Sequence, residues 1–217
     1  MKKTLVFFFC SLAAFAQKPA FTLEQVLSNP FPTELTAAPT GGKVAWVQNA
    51  KGVRNIWLAQ PPDYQGKQLT SFSQDDGKEI SQLRWSPDAR TLLFVRGGGT
   101  RGSEPPNPAH DPAGPELAIY KLNTDGGQPA KLTDGGYPTV SPKGDSLVFL
   151  RRGQVFITAL DGKEARQLMK TRGGVSQLRW SPDGTKLAFV SNRGDHSFIG
   201  VYDFRTRNLR YLSPSVD

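Results

Sequence analysis

The chain has 217 residues, of which 37% are hydrophobic and 21% charged, and a formal net charge of +8. That length can bury a core without staples, and the single Cys10 excludes a disulfide framework or a cysteine-built zinc site. The basic residues, among them Arg84, Arg96, Arg151, Arg152, Arg179, Arg193 and Arg210, are dispersed rather than blocked, which speaks against a nucleic-acid partner and for solvated strand edges that resist pairing.

Lys2 and Lys3 precede a short apolar stretch, Leu5 to Phe15, and Ala14-Phe15-Ala16 forms an A-x-A cleavage site. The 11 residues from Leu5 to Phe15 are too few for a spanning helix, so residues 1–16 are expected to be a secretory signal peptide. Lipoprotein processing takes a small residue before the cysteine, whereas Phe7-Phe8-Phe9 stand before Cys10. Cleavage after Ala16 leaves 201 residues with a formal charge of +6 and no cysteine. The expected protein is exported, periplasmic or secreted, with no membrane attachment after cleavage.

Residues 17–32 are expected to form a short helix and a linker. Phe21 to Asn29 reads as an amphipathic helix with Thr22 as its N-cap. Phe21, Val26, Leu23 and Leu27 make its packing face, and Pro30 and Pro32 end it.

From residue 33 onward the chain reads as strands and turns. Unit one, 33–78, has strands at Val44–Gln48, Asn55–Ala59 and Gln68–Thr70. Unit two covers 79–136, unit three 137–174 and unit four 175–217. Unit four is the clearest, with strands Val175–Trp180, Lys186–Ser191, Phe198–Phe204 and Asn208–Leu212. The units share a signature. Ser81-Gln82-Leu83-Arg84-Trp85-Ser86-Pro87-Asp88 recurs as Ser176-Gln177-Leu178-Arg179-Trp180-Ser181-Pro182-Asp183, and looser copies lie at Val140-Ser141-Pro142-Lys143-Gly144 and Ala38-Pro39-Thr40-Gly41-Gly42. Their prolines, Pro39, Pro87, Pro142 and Pro182, are spaced by 48, 55 and 40 residues.

Each signature has a physical reading. Proline presets φ at the second turn position, Asp183 can accept bonds from nearby amides, and Gly184 accepts φ > 0. The runs Leu92-Leu93-Phe94-Val95, Leu147-Val148-Phe149-Leu150 and Leu187-Ala188-Phe189-Val190 do not alternate with polar residues, as in strands buried on both faces. Trp85 and Trp180, with Trp46 and Trp57, are expected to wedge between units as packing anchors. Four-stranded units at this period form an all-β partial β-propeller of about four four-stranded blades.

Trp-Ser-Pro-Asp-Gly followed by an apolar strand resembles the propeller repeats of two exported groups, and the resemblance covers nearly all of the mature chain. One is the amino-terminal domain of prolyl oligopeptidase family serine peptidases, of the dipeptidyl-peptidase and acylaminoacyl-peptidase kinds. The other is the propeller of the Tol-system periplasmic protein. The lead-in Phe21-Thr22-Leu23-Glu24-Gln25-Val26-Leu27 and Glu104-Pro105-Pro106-Asn107-Pro108 within a long loop are similar to the peptidase group. The resemblance implies seven or eight blades followed by an α/β-hydrolase domain carrying Ser, Asp and His. More blades are therefore expected beyond Asp217, with that domain as the propeller's partner and a peptide as substrate of the full enzyme.

The catalytic signature of that domain is not in this sequence. No serine lies in a G-x-S-x-G elbow, His110 and His196 are the only histidines, and Glu24, Glu34, Glu79, Glu104, Glu116 and Glu164 are isolated from one another in sequence. No catalytic residue is assigned, and this segment alone is expected not to hydrolyse peptides. His110-Asp111 and Asp195-His196 each supply two metal-capable groups without a third, so neither a metal nor another cofactor is expected. Arg193-Gly194-Asp195 reads as a turn. The segment 97–115, between the second and third strands of unit two, is long for a compact module, and such loops carry function. Arg96, Arg101, Glu104, His110 and Asp111 are the candidates for facing a substrate or a partner domain. The competing reading is a non-enzymatic Tol-like propeller that binds a protein partner; a self-sufficient four-bladed propeller is a third. Expressed alone, a chain whose first and fourth blades lack neighbours is expected to be poorly soluble or to dimerise.

Overall fold

The computed structural model describes residues 21–98, 112, 115–163 and 165–212. The expected signal peptide, and Arg101, Glu104, His110 and Asp111, lie outside the described residues. After a short helix the described residues form sixteen strands in four sheets of four. Blade one is β1 (Phe31–Ala37), β2 (Val44–Ala50), β3 (Val53–Ala59) and β4 (Lys67–Gln68). Blade two is β5 (Ile80–Trp85), β6 (Thr91–Gly97), β7 (Leu117–Asn123) and β8 (Ala130–Asp134). Blade three is β9 (Gly136–Val140), β10 (Ser146–Arg151), β11 (Gln154–Ala159) and β12 (Arg166–Met169). Blade four is β13 (Gly174–Trp180), β14 (Lys186–Asn192), β15 (Ser197–Asp203) and β16 (Asn208–Tyr211).

Every blade is an antiparallel meander whose strands follow chain order. The first strands of successive blades, β1, β5, β9 and β13, touch one another and form the inner edge. The second strands are the middle of each sandwich, which explains their unbroken apolar runs: Leu92, Leu93, Phe94 and Val95 are all fully buried, as are Leu147, Val148 and Phe149. Three clusters join the sheets. Val47 and Ile56 of blade one pack with Leu83 and Phe94 of blade two. Val95 and Ile119 meet Leu147 and Phe149, and Leu150 and Val155 meet Leu178 and Phe189. Each buried side chain of this size contributes about 1.5–3 kcal/mol.

Trp85 and Trp180 sit between blades, as expected. Each packs beside an inter-blade cluster and reaches back to the preceding inner strand, Trp180 Nε1 donating to the Thr139 carbonyl at 3.1 Å. Trp46 and Trp57 behave differently. They are paired across β2 and β3 and stack on each other at 6.3 Å, on the face of blade one that no other blade covers among the described residues. The helix also departs from expectation. It spans Leu23–Leu27 behind a Thr22–Gln25 capping box, but Phe21, Leu23, Val26 and Leu27 are exposed rather than packed. Finally, Phe31 and Pro32 belong to β1 rather than to a linker. Pro32 is tolerated there because β1 is an edge strand.

Candidate functional site

Antiparallel connection gives the molecule two rims. One carries the turns between first and second strands; the other carries the links between second and third strands and those between blades. The repeated signature builds the first rim. Ser86, Ser141 and Ser181 each accept their turn's closing amide, from Ala89, Gly144 and Gly184. The Ser86 and Ser181 hydroxyls donate to Asp88 and Asp183 at 2.6 Å. In blade three Lys143 replaces the aspartate, and Asp145 accepts the Ser141 hydroxyl at 2.6 Å instead. These hydrogen bonds hold Asp88, Asp145 and Asp183 below the usual carboxylate range. All three carboxylates are occupied with their own turns, so this rim reads as scaffold.

On the second rim β6 ends and β7 begins, so the described ends of the segment 97–115 lie there beside a set of ion pairs. Gly97 and Gly98, both with positive φ, let the chain leave β6 where the Glu116 carbonyl passes; an added Cβ on Gly97 would meet that oxygen at 1.8 Å. Glu116 then gathers three partners. It lies 2.7 Å from Lys78 and 3.9 Å from Lys131, and accepts the Tyr120 hydroxyl at 2.6 Å. Burial alone would raise the Glu116 carboxyl, but the bonds from Lys78 and Tyr120 outweigh it and lower it. Burial, then the bond to Glu116, pushes Tyr120 up to about 12. Arg54 grips Glu79 at 3.0 Å and Asp75 at 3.3 Å, tying blade one to the blade-linking segment.

Arg96, the one candidate within the described residues, lies at the foot of the segment. Its guanidinium is ion-paired with Asp76 and stacked 4.4 Å over the Phe72 ring. Arg151 repeats the motif over Phe156 at 4.8 Å, and Arg193 over Phe198 at 4.6 Å. Sequence reasoning missed these arginine–aromatic stacks, although Phe156 and Phe198 lie only five residues on, across the next hairpin; Phe72 comes from the link between β4 and β5. A signal existed in the arginines closing or following the second strands of blades two, three and four. The arrangement anchors a segment; among the described residues it brings together no nucleophile with a base. His196 meets Asp195 at 2.6 Å on an exposed hairpin. Among the described residues no three metal-capable groups converge, and no helix is long and apolar enough to cross a membrane.

No known protein-family profile matches the chain. Several curated relatives do, among them two peptidases. The peptidase YuxL of Bacillus subtilis is 29% identical over 142 residues, covering 60% of this chain and 19% of that protein. Dipeptidyl aminopeptidase BIII of Pseudoxanthomonas mexicana is 30% identical over 76 residues, or 35% of this chain and 11% of that one. The chain thus spans less than a fifth of the length of either relative. Among solved structures, TolB from Acinetobacter baumannii superposes with a TM-score of 0.59 at 19% identity, over 85% of this chain and 44% of that one. Porphyromonas gingivalis dipeptidyl peptidase 4 gives 0.55 at 17% identity, over 92% and 36%. The chain is therefore a partial β-propeller in fold, related in sequence to stretches of peptidases and similar in fold to both dipeptidyl peptidases and TolB.

Proposed function

We propose that the chain is the N-terminal propeller segment of an exported serine peptidase of the prolyl oligopeptidase family. In this reading the propeller restricts access of peptides to an α/β-hydrolase domain carried by the same polypeptide, and supplies no reacting group of its own. The observation that carries it is the 142-residue alignment with a peptidase, laid on a fold shared with a dipeptidyl peptidase. The segment bearing Arg101, Glu104, His110 and Asp111 faces the substrate or the hydrolase domain, and Arg96 holds its base. Reading the coding sequence beyond Asp217 tests the proposal: G-x-S-x-G some hundreds of residues downstream supports it. A stop codon after two further blades overturns it and leaves the second reading, a protein-binding propeller, for which the likeness to TolB speaks.

A further inference from the structure

Blades two, three and four each carry an arginine at or beside the end of the second strand, and each arginine lies over an aromatic ring. The first two also find an oxygen behind them, at the end of the preceding blade. Arg96 pairs with Asp76. Arg151 donates to the Asp134 carbonyl at 3.1 Å and to the Thr133 hydroxyl at 2.6 Å. Arg193 has the stack without the oxygen. Its guanidinium lies 4.6 Å over the Phe198 ring and 5.0 Å from that of Tyr211. Its Nε–H is buried without an acceptor, the one such side-chain atom among the described residues, and no carboxylate among those residues pairs with it.

The place that supplies an oxygen to Arg96 and Arg151 is taken in blade four by the link 170–173. Ser191 donates to the Arg172 carbonyl at 3.0 Å, and a Cβ added to Gly173 would meet the Arg193 Cα at 3.3 Å, so this link runs against Arg193. It brings Lys170 and Arg172, both exposed, where the earlier links bring an acid or a hydroxyl. The β10–β11 hairpin adds exposed Arg152, whose neighbour Gly153 accepts the Val175 amide at 2.9 Å. None of these three cations forms an ion pair with a described residue. Asp195, close by in the chain, meets His196 at 2.6 Å. Both blades at this junction are in place. Tyr211 packs with the cluster that joins blades three and four, so Arg193 stands on the covered side of blade four, and its want of a partner does not come from the outer face.

An arginine cannot shed its proton, and a buried N–H without an acceptor is costly. Aromatic stacking occupies the faces of a guanidinium and leaves its in-plane N–H groups for a planar acceptor, which a carboxylate meets with two oxygens. Three more cations at the same corner raise the local concentration of anions. We propose that Arg193, with Arg172 beside it, binds the carboxylate of a peptide, supplied by an acidic side chain or by the C-terminus. A peptide is the occupant because this corner shares its rim with the ends of the β6–β7 connection, assigned above to substrate or hydrolase domain. The inference rests on that reading for calling the peptide a substrate, and it narrows the substrate class to peptides that carry a carboxylate.

Nitrogen–proton correlation spectra of the chain, following the Arg193 Nε–H and the Gly194 amide during titration, read the outcome. Three alanine-based tetrapeptides serve as probes: one capped at both ends with glutamate as its only charge, its capped glutamine version, and that version with a free C-terminus. A carboxylate peptide should saturate the site with a Kd of about 1 mM or below, and the capped glutamine peptide should bind at least about 10-fold more weakly. Which carboxylate peptide binds tighter identifies the source. Arg193→Gln should weaken binding at least about 10-fold. Arg172→Gln, which leaves both rings and their guanidinium in place, should weaken it about 3-fold, and decides the matter where Arg193→Gln loses the parent far-ultraviolet spectrum. Equal binding of the two capped peptides, no binding up to about 10 mM, or parent-like affinity in a folded Arg193→Gln overturns the proposal. Inorganic phosphate binding as tightly as either carboxylate peptide overturns it too. Each of these failures is read on the chain itself, so it leaves the downstream coding-sequence test of the proposed function standing.

Discussion

The two rims are built from the same four blades and by opposite means. On the turn rim one solution is repeated, with a serine, a proline and a carboxylate closing a local loop whose bonds lie within six residues of one another. On the segment rim an arginine–aromatic stack recurs in blades two to four, but the ion pairs differ from blade to blade and are long-range: Arg54 to Glu79, Lys78 to Glu116, Arg96 to Asp76. Local closure lets each turn of the first rim form by itself, with cross-blade bonds limited to lysines such as Lys43, which reaches Thr124 at 3.1 Å, and Lys121, which reaches the Leu160 carbonyl at 3.3 Å. The second rim depends on blades being in place, and the long connection between β6 and β7 starts and ends there. Scaffold and candidate function therefore separate by rim rather than by blade.

The sharpest way to break that contrast is at glycine. Gly97→Ala should cost about 3 kcal/mol, since the new Cβ meets the Glu116 carbonyl at positive φ. Gly126→Ala on the turn rim also has positive φ but open space around it, and should cost only about 1 kcal/mol. Urea melts of the two variants compare them, and equal losses would erase the distinction.

Glu116→Leu should cost about 2 kcal/mol by leaving Lys78 and the Tyr120 hydroxyl unpaired. It should also change the alkaline limb. Tyr120 is raised in the folded protein, so its contribution is complete below the unfolded value near 10 and is lost as pH climbs toward about 12. Melting temperature followed from pH 9 to 12 should fall less steeply in Glu116→Leu than in the parent.

A gain is expected on the turn rim. Ala89 holds φ +55 where the equivalent turns have Gly144 and Gly184, and Ala89→Gly should add about 1 kcal/mol to the unfolding free energy. The smallest effect is in acid. Asp88 and Asp145 are held low by serine hydroxyls and Asp203, at about 2, by Lys186. Lowered carboxylates contribute above their unfolded value near 4 and lose that contribution as pH falls through the folded one. Melting temperature should therefore decline gently between about pH 4 and 2, and less so in Ser86→Ala, which frees Asp88.

Much of the fold could be read before any coordinates. Pro182-Asp183-Gly184 announced a turn and Leu92-Leu93-Phe94-Val95 a doubly buried strand, and both stand where the sequence placed them. The equivalent run in blade four corrects the expectation, since only Leu187 and Phe189 are buried and Ala188 and Val190 are half-buried. β1 escaped because Phe-Pro-Thr-Glu-Leu-Thr-Ala has neither an apolar run nor clean alternation; its partners, not its composition, make it a strand. The helix was found by its cap, but its apolar residues were given a core they do not touch. Of the site, Arg96 could be located by its place beside the long segment. Its engagement with Asp76 and Phe72 could not, because an ion pair spanning twenty residues leaves no local pattern.

The central claim is that this chain contributes a propeller and no hydrolytic chemistry. Labelling with a serine-reactive fluorophosphonate tests it most directly, using this chain beside any longer polypeptide that its gene encodes. The account predicts no labelling of the chain and stoichiometric labelling of the longer polypeptide. Labelling of the chain itself, or none of the longer polypeptide when folded, would contradict it.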